Sequence, residues 1–379
     1  MERVLIADDQ PDVLESLQLL LKNEGFVIDA VSSPRAIVEA VQSRHYDVLL
    51  LDMNYARDTT SGGEGLELLS RITELDQAPP VVLMTAWSSV ELAVEAMRNG
   101  GCDFVQKPWN NRNLIDTLRH NVVRARAKRM REKQEKAAAD VVRDLEEARQ
   151  TQQRLLPALM PRVSGVEIHT AWLPASEVGG DYFDVIQLSD TSLALCIADV
   201  SGKGLAAALL MSNIQANVRA YARSDRQPRD VCAQLNRVVY DNTQDERFVT
   251  FFYAVFDVAR HTLTYTNAGH VPPILIRNDG SQQLLTEGGT VLGLFPASGY
   301  EQASASFNLR DRLVLLTDGI TEASNPDGEQ FGDGGRIADL LSRNRRLTSE
   351  QLKDTLLDAV ASFCHRSLQD DAALMVLSL

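Results

Sequence analysis

The sequence has few cysteines, no long apolar run and no excess of basic residues. Its four cysteines lie far apart without Cys-x-x-Cys spacing, so we expect reduced thiols rather than zinc or redox sites. No apolar stretch approaches the length of a membrane span, and the opening MERVLIADD has a strand pattern instead of a signal peptide. A net charge of -14 argues against a duplex-DNA binder. We therefore expect a cytoplasmic protein with neither a membrane nor a nucleic-acid partner.

The length of 379 residues allows two domains and a connector. From residue 3 to about 118, apolar strands alternate with amphipathic helices. Strands are predicted at 3–7, 47–52, 79–85 and 102–108, and a helix at 13–25. Continuous apolar strands separated by helices indicate a parallel sheet covered on both faces, which is a doubly wound, flavodoxin-like α/β domain.

Residues 110–156 contain neither proline nor glycine and are crowded with charge, which predicts one long helix. A weak, partly polar heptad stripe runs along it, through Ala138, Val141, Leu145, Ala148, Gln152 and Leu155. This helix is either a solvated spacer or a marginal parallel coiled coil that pairs two copies of the chain.

After Pro157 the strands are antiparallel in style, and helices are predicted at 203–223, 229–243, 334–343 and 349–365. This pattern indicates an α+β layered αββα sandwich. We place the domain boundaries at 1–120, 121–156 and 157–379, the middle segment being the helical linker.

Polar residues end the predicted strands of the first domain: Asp8, Asp9, Asp52, Thr85 and Lys107. Because the carboxyl ends of parallel strands meet at one edge, these side chains are expected to converge. Carboxylates brought this close need a cation, and Mg²⁺ with oxygen ligands suits them.

The motifs IADDQ, LLLDM, VLMTAWSSVELAVEAMRNG and DFVQKPW resemble the response-regulator receiver domain over residues 1 to about 120. The resemblance implies that Asp52 accepts a phosphoryl group from a cognate histidine kinase. It also implies that Asp8 and Asp9 hold Mg²⁺, together with Asp52 and the carbonyl oxygen of Asn54.

The same resemblance implies that Lys107 pairs with a phosphoryl oxygen and that Thr85 turns to bond the phosphate. Phe104 is expected to be the aromatic residue that follows Thr85 inward, or else an ordinary core residue. The segment MNYARDTTSGGE after Asp52 is longer than usual in receivers and lies beside the phosphorylation site.

Acids recur beside strands and turns in four segments of the second domain. They are Asp181, Asp184, Asp199, Asp318, Asp370 and Asp371. Each alone is typical of a turn, but if they converge they are expected to form an oxygen-only cage for hard divalent ions. Two such ions can activate water for attack at phosphorus.

These segments, with NAGHVPPILI and LGLF, resemble the PPM-type metal-dependent serine/threonine protein phosphatases, especially the sporulation stage II E-like branch. The resemblance implies that Asp181, Asp199, Asp318, Asp370 and the carbonyl of Val200 bind two Mn²⁺ or Mg²⁺ ions.

Other residues near these motifs have two interpretations each. Asp184 and Asp371 are expected near the metals, directly or through water. Gly179 and Gly180 allow close passage of the backbone or simply form a turn. Lys203 either contacts phosphate or faces solvent.

Two positions depart from eukaryotic relatives: Ser201 stands where they have a histidine, and Ser176 where they have a phosphate-binding arginine. His270 is either an acid–base group or, as we favour, a hydrogen-bonded structural histidine.

The resemblance implies a response regulator whose receiver controls the phosphatase through the helix. The implied substrate is a phosphorylated anti-sigma-factor antagonist in a partner-switching pathway. A non-catalytic adaptor that binds a sigma or anti-sigma factor is the alternative, although such a chain should have lost its metal acids. A transcription factor would need a helix-turn-helix or a basic surface, which the acidic, strand-rich second domain lacks.

Overall fold

The computed structural model describes residues 2–53, 63–75, 78–85, 90–175, 177–243 and 247–379. The chain divides into two compact units, Met1–Asp140 and Val141–Leu379. The boundary between them falls inside the longest helix. None of the helices in the described part of the chain has the length and apolar character needed to cross a bilayer.

The first unit contains a five-stranded parallel sheet with the order β2-β1-β3-β4-β5. Its strands are β1 (Arg3–Ala7), β2 (Val27–Val31), β3 (Val48–Asp52), β4 (Val81–Thr85) and β5 (Asp103–Gln106). The helices between them are α1 (Pro11–Asn23), α2 (Pro34–Ser43), α3 (Gly63–Thr73) and α4 (Val90–Arg98). The predicted doubly wound α/β fold is confirmed.

Both faces of this sheet are covered, because successive side chains of a strand point to opposite sides. Val48 and Leu50 of β3 belong to one core cluster, which α1 joins through Leu17. Leu49 and Leu51 belong to a second cluster on the other face. Continuous apolar strands are the sequence signature of this arrangement.

The predicted long helix is confirmed as α5 (Asn111–Leu155), which has 45 residues. Leu114, Leu118 and Val122 near its start are buried in the core of the first unit. The middle of the helix is exposed and highly charged. At its end, Gln152 is buried in the second unit.

The second unit contains two sheets, and apart from the two-residue β13 their strands pair antiparallel. One sheet has the order β13-β10-β9-β8-β7, with β14 also paired to β10, and the other has the order β12-β11-β15-β16-β6. The strands are β6 (Glu167–Leu173), β7 (Tyr182–Ser189), β8 (Ser192–Val200), β9 (Val249–Asp257), β10 (Thr262–Ala268), β11 (Ile274–Ile276), β12 (Gln282–Leu284), β13 (Gly288–Gly289), β14 (Ala303–Ser306), β15 (Arg312–Leu316) and β16 (Ala372–Ser378). The α-helices are α6 (Leu205–Tyr221), α7 (Pro228–Asn242), α8 (Asp318–Thr321), α9 (Arg336–Arg343) and α10 (Ser349–Phe363).

Alternation along β15 shows how these layers stack. Leu313 and Leu315 pack in one core cluster with residues of β8 and β9 in the other sheet. Val314 and Leu316 face the opposite way and pack with residues of α9 and α10. Since α6 and α7 cover the far side of the β8–β9 sheet, the layers follow the predicted αββα order.

Candidate metal centres

The first candidate centre lies at the carboxyl end of the parallel sheet. Asp8 directly follows β1, and Asp52 ends the neighbouring strand β3. One carboxylate oxygen from each of Asp8, Asp9 and Asp52 lies within 4.8 Å of the others. Asp8 and Asp52 are buried. Three acids at this spacing can provide the hard oxygen ligands that Mg²⁺ prefers.

Lys107 reaches the same centre from the end of β5. Its Nζ lies 2.7 Å from Oδ2 of Asp8 and 3.1 Å from Oδ1 of Asp52. This ammonium offsets part of the repulsion between the two buried carboxylates. Thr85, also buried, ends β4, the strand beside β3. The structure thus brings the residues predicted for this edge together.

Two further predictions for this edge have different outcomes. Asn54 lies outside the described residues, and so does most of the insertion at 54–64. Phe104 is 50% exposed, so the interpretation that it is a core residue is wrong. It lies on β5, the edge strand, where Val105 is the residue that points into the core.

The second candidate centre gathers acids from distant segments of the second unit. Asp181 precedes β7, Asp199 lies near the end of β8, and Asp318 follows β15. Burial and the charge of Asp199 raise the pKa of Asp181 well above its usual range. Burial raises the pKa of Asp199 to about 7, with contributions from the charges of Asp318 and Asp370. Carboxylates that raise the pKa of one another lie close together, and a cation would relieve their repulsion.

Thr317 orients Asp181, a role that no local pattern in the sequence predicts. The buried Thr317 hydroxyl donates to Oδ2 of Asp181 at 2.7 Å and accepts from the Ala373 N–H at 2.8 Å. The other oxygen of Asp181, Oδ1, is buried without a hydrogen-bond donor in the described part of the chain. A buried carboxylate oxygen left open within a set of carboxylates fits a hard divalent cation such as Mg²⁺ or Mn²⁺.

Asp370 and Lys203 form an ion pair at the rim of this centre. Nζ of Lys203 lies 2.9 Å from Oδ2 of Asp370, and the two side chains are 60% and 44% exposed, respectively. Lys203 also donates to the carbonyl of Gln369. An ion pair this exposed contributes little to stability, so a divalent cation that binds Asp370 can displace the lysine.

Asp371 holds the segment that leads into Asp181. Its Oδ1 accepts from the Ala175 N–H at 2.8 Å, and its Oδ2 accepts from the Gly180 N–H at 2.7 Å. A Cβ atom on Gly179 would lie 2.6 Å from Oδ2 of Asp371, so only glycine permits this approach. Gly179 and Gly180 therefore allow the backbone to pass close to the Asp371 side chain. The next glycine, Gly180, passes close to Val200: a Cβ atom on Gly180 would lie 3.0 Å from the carbonyl oxygen of Val200.

Asp184 is held by Arg219, in contrast to its predicted place beside the metals. Its Oδ2 accepts from Nε of Arg219 at 2.7 Å and from the Tyr182 hydroxyl at 3.0 Å. Its Oδ1 accepts from the Val185 N–H at 2.9 Å. This saturated, fully buried carboxylate ties α6 to β7.

His270 and Ser201 both make structural hydrogen bonds. His270 is buried, its Nδ1 lies 2.8 Å from the Thr250 hydroxyl, and burial lowers its pKa to about 4. A neutral, enclosed imidazole agrees with the structural interpretation of this histidine. The Ser201 hydroxyl accepts from the Phe248 N–H at 2.9 Å. Ser176 lies outside the described residues.

Gln152, which the sequence predicts only as a member of the heptad stripe, connects the end of α5 to the acid cluster. Its Nε2 donates to the Gly179 carbonyl at 2.6 Å, and its Oε1 accepts from the Gly179 N–H at 2.9 Å. Gln152 is 3% exposed. The last turn of the stripe therefore packs on the second unit of its own chain, at a glycine two residues before Asp181.

Two family models match the chain, one within each unit. The response regulator receiver domain matches residues 4–119. The family described as Stage II sporulation protein E (SpoIIE) matches residues 189–379, half of the chain.

Relatives with known names or structures agree with these matches. The chain is 30% identical to the phosphoserine phosphatase RsbU of Bacillus subtilis over 63% of this chain and 70% of RsbU. It is 29% identical to the protein IcfG of Synechocystis over 62% of this chain, but it spans only 41% of IcfG. The crystal structure of the RsbU and RsbW domains of Rv1364c from Mycobacterium tuberculosis is similar with a TM-score of 0.51 and 26% identity, over 59% of this chain and 62% of that one.

The fold and these matches define a receiver domain joined to a PP2C-type serine/threonine protein phosphatase domain. The chain belongs to the Stage II sporulation protein E family.

Proposed function

We propose that this protein is a response regulator in which phosphorylation of Asp52 controls the hydrolysis of a phosphoserine or phosphothreonine on a partner protein. The observation that carries the proposal is the cluster of acids around the buried Asp181. The first unit of the same chain also carries the acids expected at the edge of a receiver sheet. RsbU is named as a phosphoserine phosphatase, which supports the same reaction for this chain. A degenerate adaptor would not need four mutually repelling carboxylates.

In the phosphatase domain, the proposed ligands of two Mn²⁺ or Mg²⁺ ions are Asp181, Asp199, Asp318, Asp370 and the carbonyl of Val200. When bound, such ions supply the positive charge that activates water and stabilises the phosphoryl group. The chain itself contributes orientation: Thr317 fixes Oδ2 of Asp181, and Asp371 fixes the backbone just before it.

In the receiver, Asp8 and Asp9 are the proposed Mg²⁺ ligands, with Asp52 as ligand and phosphoryl acceptor. Lys107 already contacts Asp52 and can pair with a phosphoryl oxygen attached there. Thr85 lies on the next strand, in position to bond the same group. The phosphoryl donor that the receiver implies is a cognate histidine kinase.

The proposed substrate is a phosphorylated anti-sigma-factor antagonist, as in partner-switching pathways. This assignment is supported by the similarity to RsbU and to the RsbU and RsbW domains of Rv1364c. Hydrolysis would return the antagonist to the form that captures an anti-sigma factor, so the protein would act on transcription without contacting DNA.

The proposed route of regulation runs along α5, which starts in the core of the receiver and ends at Gln152. A change in the packing or pairing of this helix reaches Gly179 through two buried hydrogen bonds. Exposed Met130, Val141 and Val142 leave apolar surface on the helix for pairing with a second copy. In this proposal, phosphorylation of the receiver shifts α5 between two states of packing or pairing, and it supplies no catalytic group itself.

The direct test uses the full chain, Mn²⁺ and serine-phosphorylated candidate antagonists, with the receiver either untreated or treated with beryllofluoride and Mg²⁺. We expect phosphate release from one antagonist, at rates that differ at least about fivefold between the two receiver states. Sizing of both samples reports whether pairing changes at the same time. If no phosphorylated antagonist loses phosphate in either state, the adaptor function is correct instead.

Replacing Gln152 tests the route itself. Gln152→Ala removes both hydrogen bonds to Gly179, so the loop before Asp181 loses this support and keeps its hydrogen bonds to Asp371. We expect the Mn²⁺ concentration for half-maximal hydrolysis of p-nitrophenyl phosphate to rise about tenfold, as for other groups that support metal ligands. Gln153→Ala changes the exposed neighbouring side chain and serves as the control. Equal metal dependence of the two variants would show that Gln152 does not act on the acid cluster.

A further inference from the structure

A cavity of about 590 Å³ lies at the end of the second unit opposite to the acid cluster. The antiparallel strands β15 and β16 carry Asp318 and Asp371 near one end. At the other end, Arg312 is paired in register with Ser378, and both residues line the cavity. At the usual rise per residue, these strands separate the cavity from the acids by about 15 to 20 Å.

Arginines dominate the lining of this cavity, which we call the arginine cavity. Arg277, Arg310, Arg312, Arg345 and Arg346 line it. Glu167 and Leu379 also line it, and the main-chain oxygen of Leu379 accepts from the Arg310 N–H at 3.3 Å. Arg277 pairs with the buried Asp311 at 2.9 Å. The other four arginines form no ion pair within the described part of the chain. Such a concentration is unexpected in a chain with 52 acidic and 38 basic residues.

Arg312 is partly buried in the wall of the arginine cavity. Its guanidinium donates to the carbonyl of Leu347, and burial lowers its pKa. A guanidinium removed in part from water without a carboxylate beside it is unfavourable. An anion bound in the cavity would supply the negative charge that this guanidinium lacks.

Arg310 has a backbone conformation that side chains rarely adopt. Its φ is 68°, in the left-handed region, within the turn that joins β14 to β15. Glycine would occupy this position without strain. An exposed arginine at such a position is explained if its positive charge binds a ligand.

The start of α10 adds positive potential to the same cavity. Thr348 caps this 15-residue helix, and both Thr348 and Ser349 line the cavity. The N-terminus of a helix carries a partial positive charge that favours anions.

We propose that the arginine cavity binds a small anion that carries two or more phosphate groups. Guanidinium groups bind phosphate oxygens in pairs, and four arginines without acidic partners match the charge of a di- or triphosphate. The volume falls within the range of about 300 to 1,000 Å³ that is usual for small-molecule sites. A nucleoside triphosphate and inorganic tripolyphosphate share this chemistry.

The test titrates the metal-free full chain with tripolyphosphate and with ATP, using calorimetry at near-physiological salt. We expect saturable binding of at least one of them, and the tighter of the two identifies the source of the phosphates. Arg310→Gly should weaken binding about tenfold, the usual effect of losing one charged hydrogen bond. The same variant should unfold at an equal or higher temperature than the wild type, because glycine relieves the positive φ.

Two controls separate this site from others on the chain. Arg343→Gln removes an exposed arginine of α9 that pairs with Asp339 and does not line the cavity, so affinity should stay unchanged. Asp199→Asn should also leave affinity unchanged, because the acid cluster is distant. The proposal is overturned if the wild type shows no saturable binding, or if Arg343→Gln weakens binding as much as Arg310→Gly does. Since no metal and no turnover are involved, this result is independent of the proposed phosphatase function.

Discussion

Asp199→Asn is expected to lower Mn²⁺-dependent hydrolysis of p-nitrophenyl phosphate by at least about 100-fold. The carboxylate lies within the acid cluster, where burial and the charges of neighbouring acids raise its pKa to about 7. Asparagine keeps the shape of the side chain but provides a weaker, neutral oxygen. Asp190→Asn, which changes an exposed turn residue of the same unit, is the matched control and should keep full activity.

The same substitution is expected to stabilise the metal-free protein at pH 8. Asp199 has a pKa of about 7 when folded and an ordinary value of about 4 when unfolded. Between these values the folded state holds a proton that the unfolded state has released, so stability falls as the pH rises from the lower value to about 7. The variant does not lose stability in this way, because the neutral asparagine side chain has no proton to release.

Thermal unfolding of the wild type and of Asp199→Asn, without metal, at pH 5 and pH 8 measures this difference. We expect the variant to gain stability relative to the wild type on going from pH 5 to pH 8. Mn²⁺ should stabilise the wild type more than the variant, because ligands stabilise only the state that binds them. A variant that loses stability at pH 8 without metal would contradict the assignment of a repulsive acid cluster.

Asp52→Asn is expected to abolish phosphorylation of the receiver. Asp52 is buried at the end of β3, within 3.1 Å of the Lys107 ammonium, and an amide cannot attack a phosphoryl donor. With acetyl phosphate and Mg²⁺, the wild type should form a phosphoprotein that phosphate-affinity gel electrophoresis resolves. The variant should form none, and its phosphatase activities with and without the donor should be equal.

Asp12→Asn provides the comparison, because Asp12 is an exposed residue of α1 close to the same edge. It should be phosphorylated as the wild type is. Phosphoprotein formed by Asp52→Asn in equal amount would mean that another side chain is the acceptor.

Much of the fold follows from local patterns. The four predicted strands of the receiver form because each is a short apolar run bounded by turn residues. The pattern does not predict β2, because Asp29 interrupts its sequence and none of its five residues is fully buried. The core interpretation of Phe104 is wrong because apolar character alone does not tell an edge strand from a central one, and that difference depends on strand order.

The acids of both candidate centres could be predicted because each lies at or near the end of a recognisable strand. The residues that support these acids, Thr317 and Gln152, could not be predicted in these roles. Thr317 bonds a residue 136 positions away, and Gln152 bonds one 27 positions away. Such contacts depend on how distant segments meet in three dimensions, and a single sequence contains no local pattern that records them.

The absence of proline and glycine from the 45 residues of α5 has a consequence for how such proteins can diverge. The helix is about 67 Å long, and each residue added to it would rotate everything upstream by about 100° about its axis. On the proposed route of regulation along α5, which ends at Gln152, a change of length in the helix preserves the signal only if it preserves helical phase. Insertions or deletions of about seven residues, close to two full turns, meet that condition, whereas single-residue changes do not.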